Sequence, residues 1–302
     1  MAMIPEFPTF KKLEITDKKV IEDFTKQYPP YSDYNFTSLW SWDTKGEACF
    51  SFLNKNLVIK FNDYITGEPF YSFLGGHDVN STIESLIAFV ISEGRLPSLM
   101  LIPEDSIKGV KINPFTVSED PGNFDYIYDL EKLREYKGSS YEQQRNMKNR
   151  FTRKYKNIEV VALDLTKVSD REIVQELNQQ WEKNKGYRLD NEEDAMARLL
   201  FPTNSFQLIS IGVLVDKSPV AFSINEVLTS RYAISHFVKA NINFSGVYSY
   251  LMQATADALI SRGCALLNYE QDLGVSGLRY SKTAFRPVCF LRKYVISSIS
   301  TD

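Results

Sequence analysis

The segment Asn268-Tyr-Glu-Gln-Asp-Leu-Gly-Val-Ser-Gly-Leu-Arg-Tyr-Ser-Lys-Thr-Ala-Phe-Arg-Pro287 follows directly on a short apolar run, Ala265-Leu-Leu-Asn-Tyr269, that reads as a buried strand. It sets Asn268, Glu270 and Asp272 against Arg279, Lys282 and Arg286, with glycines at 274 and 277 between them. A solvated loop does not need that density of opposed charge beside glycine. A site that grips a polar, anionic or acyl group does. Arg279 and Lys282 are three residues apart, so a helix opening after Gly277 turns both to one side. The first turn of such a helix itself favours an anion. The segment is therefore a strand, a glycine loop and a helix, the unit from which α/β folds are built.

Outward from this segment, the same succession occurs twice. Residues 19–27 have helical apolar spacing. Residues 48–53 and 57–61 flank Asn54-Lys-Asn56 as a hairpin. Residues 70–74 form a third strand, 82–92 a helix closed by Gly94, and 98–102 a buried strand. In the second half, 171–185 is the amphipathic helix and 206–215 and 220–227 flank the turn Asp216-Lys-Ser-Pro219. Residues 232–238 are the third strand, 247–261 the helix closed by Gly263, and 265–269 the strand already described. This order predicts an α/β (α+β) chain of two domains of one architecture, each a mixed sheet flanked by helices. Residues 125–130 read as the last strand of the first domain, which sets the domains at 1–134 and 135–302.

The second domain opens on charge. Residues 132–156 hold nine cations against Glu135 and Glu142, in a chain whose net charge is −3. Ser139-Ser-Tyr-Glu142 fits a capping box, and Met147, Phe151 and Tyr155 form a stripe at helical spacing. The helix is either a solvated face or a surface for phosphates, in which Arg145 and Lys148 are the substrate-binding candidates.

The pattern N-x-E-x-D-L-G-x-x-G-L-R-x-x-K-x-x-F-R-P of residues 268–287 resembles the C-terminal signature of the phosphatidylglycerol lysyltransferase C-terminal domain family. That family is related to the Fem-type aminoacyl transferases and, more distantly, to the GNAT acyltransferases. Arg145-Asn-Met-Lys-Asn-Arg-Phe151 and Asp33-Tyr-Asn-Phe-Thr-Ser-Leu-Trp-Ser-Trp42 resemble further segments of the same family. The resemblance implies two tandem GNAT-like acyltransferase domains and transfer of an aminoacyl group from aminoacyl-tRNA. The acceptor it implies is an amine, a hydroxyl, a small molecule or an anionic lipid headgroup.

Such a transfer passes through a tetrahedral oxyanion, for which Lys282, Arg279 and Arg286 are the donor candidates. The acceptor must lose a proton, for which Asp272 or Glu270 would serve. The same carboxylates would alternatively hold a cationic aminoacyl group. Asn268, Glu270, Arg286 and Asn35 complete the substrate-binding candidates. In the structural alternative, Asp272 caps the loop while Arg279 and Arg286 pair with carboxylates.

The glycine-rich turn by which GNAT enzymes hold acyl-CoA is absent, since its place reads Asn241-Ile-Asn-Phe-Ser-Gly246. No cofactor is therefore expected. A CoA-dependent N-acyltransferase and a catalytically silent module for nucleic acid or anionic headgroups are the alternatives. His77 and His236 are the only histidines, and His236, inside a strand, is expected to be structural. Three scattered cysteines argue against a zinc site or disulfide framework. No run reaches the roughly 20 apolar residues of a membrane span. A soluble, cytoplasmic protein is expected.

Overall fold

The computed structural model describes residues 4–111, 113–184, 191–201, 203–229 and 231–298. The first half runs β1 (Lys11–Lys12), α1 (Lys18–Thr25), α2 (Phe36–Trp42), β2 (Cys49–Leu53), β3 (Asn56–Asn62), β4 (Pro69–Leu74), α3 (Val79–Ser92), β5 (Ser98–Pro103), β6 (Phe115–Glu119) and β7 (Asp125–Asp129). Two helices follow, α4 (Leu130–Glu135) and α5 (Glu142–Lys154). The second half runs β8 (Ile158–Leu163), α6 (Val168–Asn184), α7 (Glu192–Leu200), β9 (Leu208–Val215), β10 (Ser218–Val227), β11 (Tyr232–Ala240), α8 (Val247–Ile260), β12 (Leu266–Asn268), α9 (Ser276–Ala284), β13 (Cys289–Leu291) and β14 (Lys293–Ser298). Lys185, expected to end the long helix of this half, lies outside the described residues.

The repeat seen in the sequence is present element by element. At the place of α9 the first half has only a single 3-10 turn, Glu104–Ile107. Local chemistry explains the shared punctuation. The β2–β3 turn places Asn54 and Lys55 at φ 51° and 63°, and the β9–β10 turn places Asp216 and Lys217 at 49° and 65°. Two successive positive φ values make the tight hairpin turn whose twist matches its strands. Gly94 and Gly263 end their helices at φ 72° and 86°, a conformation that strains a residue bearing a Cβ.

The last strand of each half is exchanged. The seven-stranded sheet has the order β13-β7-β12-β11-β10-β9-β8, and the three-stranded sheet the order β5-β14-β6. Strand seven of one half thus lies between strands five and six of the other. The chain accordingly divides into a unit of Met1–Phe124 with Leu291–Asp302 and a unit of Asp125–Phe290. This corrects the single boundary at residues 134/135. The strand 125–129 pairs antiparallel with β12 instead of closing the first half's sheet, and the chain returns to the first unit at Leu291. Local pattern identifies a strand but not the edge to which it bonds.

In the first unit a four-stranded antiparallel sheet, β1-β2-β3-β4, accompanies the three-stranded one. Ile83, Leu86 and Val90 of α3 are buried with Val58, Phe73, Leu99 and Ile296 in one core. In the second unit Tyr128, Leu133 and Tyr136 pack with Met252 and Leu259 of α8. Phe151 of α5 packs with Val213, Val247 and Leu251. The predicted stripe on α5 is present, with Phe151 buried and Met147 and Tyr155 half-buried. The capping box is not. A 3-10 turn at Ser139–Tyr141 leads into α5, and no side chain caps its first turn.

Within the first unit Lys293 of β14 is fully buried and forms an ion pair with the equally buried Asp33. Its ammonium also donates to Ser32 Oγ at 3.3 Å. Truncating one partner leaves a buried charge uncompensated, so Lys293→Ala is expected to cost about 3–5 kcal/mol. The double variant Lys293→Met/Asp33→Leu should recover much of that loss. Urea unfolding of both variants checks the pair, and a cost below about 1 kcal/mol for the single variant would refute it.

Candidate functional site in the second unit

The site begins where two parallel strands part. β11 and β12 pair only at Tyr232↔Leu266, Ala233↔Leu267 and Ile234↔Asn268. Beyond that point β11 continues to Ala240, whereas the chain after Asn268 leaves as a loop. A crevice at the carboxyl ends of parallel strands is where open α/β sheets bind ligands. The next residues of the same register, two further on each strand, are His236 and Glu270.

These two side chains meet. His236 Nδ1 lies 3.5 Å from Glu270 Oε1, and Nε2 lies 3.4 Å from Glu226 Oε2 on the neighbouring β10. The His236 and Glu226 side chains are buried, and Glu270 is 16% exposed. Burial by itself would lower the imidazole pKa. The bonds and charges of Glu226 and Glu270 outweigh it and raise the pKa from 6.5 to about 9. At neutral pH His236 is therefore an imidazolium between the Glu226 and Glu270 side chains, with Glu270 the member nearest solvent. Beside it, Ser235 Oγ donates to Asn225 Oδ1 at 2.5 Å, Asn225 Nδ2 donates to Ser223 Oγ at 3.0 Å, and Ser223 and Thr255 share a bond of 2.8 Å. His236 is buried and partnered inside its strand, as expected, but the sequence reading did not anticipate the two glutamates that flank it. Glu226 and His236 are charged or titratable residues inside buried strands, and that local conflict is the available sequence signal.

The loop after β12 is held by Asp272, which is fully buried. Its Oδ1 accepts from Gly274 N at 2.8 Å and Arg279 Nη2 at 3.1 Å, and its Oδ2 from Arg279 Nε at 2.8 Å and Tyr126 OH at 2.6 Å. Burial opposes ionisation, but the Arg279 fork, Tyr126 and the Gly274 amide prevail and lower its pKa. The loop stores strain, with Glu270 and Leu273 at φ 56° and 54°. Each left-handed residue costs about 1–2 kcal/mol, and charge-assisted bonds of about 1.5–3 kcal/mol offset it.

The geometry has the form of the structural alternative for Asp272 and Arg279, a carboxylate capping the loop and paired to an arginine. Lys282, the third expected catalytic residue, lies on the same face of α9 as Arg279. Its ammonium donates to Gln271 O at 2.7 Å and to Tyr269 O at 2.5 Å, and sits 5.0 Å from the Tyr269 ring centroid. It thus supports the turn that carries Glu270.

The remaining candidates separate. Asn268, buried, donates to Asp125 Oδ2 at 3.0 Å and accepts from Glu270 N at 2.8 Å, fixing the start of the loop. Arg286 donates to Ser140 O at 3.1 Å. Arg145 donates to Tyr136 O at 2.6 Å and Gly138 O at 3.0 Å, so it closes the end of α4. Half-buried Lys148 and exposed Arg150 and Arg153 on α5, with exposed Lys156 just beyond it, have no acidic partner among the described residues. Asn35 belongs to the first unit, where it caps α2 by accepting from Ser38 N at 2.9 Å.

The turn 241–246, where GNAT enzymes hold pyrophosphate, is filled by α5. Gly246 has φ 91°, and a Cβ there would stand 2.0 Å from Met147 O. Tyr155 OH donates to Asn243 O at 3.2 Å, and its ring lies 4.9 Å from that of Phe244.

Comparison with known proteins agrees with this architecture. The sequence profile described as phosphatidylglycerol lysyltransferase, C-terminal, matches residues 25–297. No curated protein matches the chain. A conserved protein of unknown function from Bacteroides thetaiotaomicron VPI-5482 superposes with TM-score 0.83 at 24% identity, over 98% of this chain and 100% of that one. The structure of L-PGS from Bacillus licheniformis gives TM-score 0.63 at 13% identity, over 99% and 95%. The crystal structure of FemX gives 0.58 at 9% identity, over 97% and 96%. The fold is that of a tandem GNAT-like protein with sheets flanked by helices, the seven-stranded sheet of the second unit being mixed and the strand pairs of the first unit antiparallel among the described residues.

The charge on His236 is directly measurable. A raised pKa means that the imidazolium stabilises the fold fully below pH 6.5, and that this contribution is lost as pH rises through about 9. With only two histidines in the chain, a His77→Gln variant assigns the NMR titration. Glu226→Gln should lower the His236 value. An ordinary value near 6.5 in the unmodified protein would exclude the charged array.

Proposed function

The chain belongs to the family of phosphatidylglycerol lysyltransferase C-terminal domains, and from that premise we propose that its second unit moves an aminoacyl group from aminoacyl-tRNA to an amine, hydroxyl or lipid-headgroup acceptor. Family and fold support an acyl or aminoacyl transferase of the lysyl-phosphatidylglycerol synthase type. The lipid-modifying family favours the headgroup as acceptor. The observation that carries the reading is the Glu226–His236–Glu270 array at the parting of β11 and β12.

In this reading Glu270, the carboxylate nearest solvent, receives the proton of the acceptor N–H or O–H as that atom attacks the aminoacyl ester carbonyl. The ester C–O bond then breaks, and the tRNA 3′-oxygen leaves with that proton, returned to it by Glu270. His236, charged and held by Glu226, keeps Glu270 oriented. The Asp272–Arg279 lock and Lys282 position the strained turn on which Glu270 stands. The filled turn at Gly246 supports a donor other than acyl-CoA. The cations of α5 supply the phosphate contacts that a tRNA donor needs. Among the described residues no helix is long and apolar enough to cross a membrane.

Transfer of labelled lysine from lysyl-tRNA to phosphatidylglycerol vesicles, to soluble amines and to hydroxyl compounds tests the reading. Glu270→Gln should lower kcat by about 10²-fold or more while leaving the fold intact. Full activity in that variant, or transfer from acyl-CoA in place of tRNA, would overturn it.

Lys148→Ala/Arg153→Ala on α5 should weaken tRNA binding and reduce the magnitude of its logarithmic salt slope by about two. An unchanged slope in filter-binding titrations would return α5 to a solvated face.

A further inference from the structure

The first unit carries a recess of its own, built from residues that take no part in the transferase reading. It has a volume of about 460 Å³ and is lined by Phe10, Lys12, Glu47, Cys49, Lys60 and Arg95. That volume is within the range of small-molecule pockets. Strand register explains its composition. Lys12 of β1 stands opposite Cys49 of β2, Cys49 opposite Lys60 of β3, and Lys60 opposite Tyr71 of β4. Directly opposed residues share a face, so these four side chains form one row across the sheet. Two strand spacings, roughly 10 Å, separate the Lys12 and Lys60 backbones, a span that their flexible side chains close over a single anion.

Arg95, just beyond the C-terminus of α3, completes the row. Its Nη1 donates to Pro69 O at 3.1 Å, and its Nε lies 3.4 Å from Glu93 Oε2. The guanidinium is therefore positioned before any ligand arrives. Among the described residues neither Lys12 nor Lys60 has an acidic partner in an ion pair, and the Lys60 ammonium lies 5.5 Å from the Tyr71 ring centroid. Phe10 forms an apolar wall, with its ring 5.7 Å from that of Tyr71 and 5.9 Å from that of Phe89. Glu47, at the rim, accepts from Asn62 Nδ2 at 3.4 Å. Burial pushes the Cys49 thiol up to about 11, against the opposing pull of Lys60, so it serves as neutral floor and not as a nucleophile.

We propose that this recess binds a small organic anion, with its phosphate or carboxylate between Lys12, Lys60 and Arg95 and its apolar part against Phe10. Phenyl phosphate and phenylacetate are suitable probes, titrated into the full chain by calorimetry and by amide NMR. The expected result is saturable binding with shifts at Lys12, Cys49, Lys60 and Arg95. Affinity should fall with added salt, and by about tenfold or more in Lys12→Ala/Lys60→Ala. Phe10→Ala should weaken phenyl phosphate but not inorganic phosphate. Tighter phenyl phosphate assigns a phosphate ligand, and tighter phenylacetate a carboxylate. Lysyl transfer should be unchanged in these variants, because none of the substituted residues belongs to the transfer site. Absence of saturable binding, shifts confined to α5, or full affinity in a folded double-lysine variant would each overturn the proposal.

Discussion

The structure depends on how two sheets complete their hydrogen bonding. A strand with one open edge carries a row of unpaired N–H and C=O groups, and another strand must cover it. In this chain β5 and β6 are joined only through β14, which comes from the far end of the sequence. β12 is flanked on one side by β7, which the first half supplies. Neither half of the sequence can close its own sheet. The exchange also brings Lys293 to Asp33, so the buried ion pair of the first unit exists only once the last strand is in place. Such pairings join residues distant in sequence, and their loop-closure cost precedes their reward.

The same constraint shapes the candidate site. Because β11 and β12 pair over only three positions, the two strands part early, and the side chains at the next register position lie beyond the paired strands. His236 and Glu270 occupy those positions. Glu226 reaches the same histidine from β10, so three strands or strand ends converge on one imidazole. A buried array of this kind is costly unless each charge is matched, and the match is what raises the histidine pKa to about 9.

The loop that follows β12 shows how a signature-rich segment serves function indirectly. Asp272, Arg279, Lys282 and Asn268 all bond within the loop or to the strand beside it. Their bonds offset the left-handed backbone at Glu270 and Leu273. The dense charge of residues 268–287 is thus largely a brace, and the residue it braces is Glu270.

The sequence by itself determined the repeated succession of helix, hairpin, strand, helix and strand, the two hairpin turns, the helix-ending glycines, the stripe on α5 and the charged segment after β12. Each of these is set by neighbours within a few residues: periodicity places a face, and a turn needs particular φ values. Tertiary structure decided the rest. Which edge the strand 125–129 would bond, and which groups would surround Asp272, depend on partners far along the chain. Tyr126, which fixes Asp272, lies 146 residues away from it. Hydrogen bonding and burial are satisfied in space, and a residue type shows what it can bond to but not what will reach it.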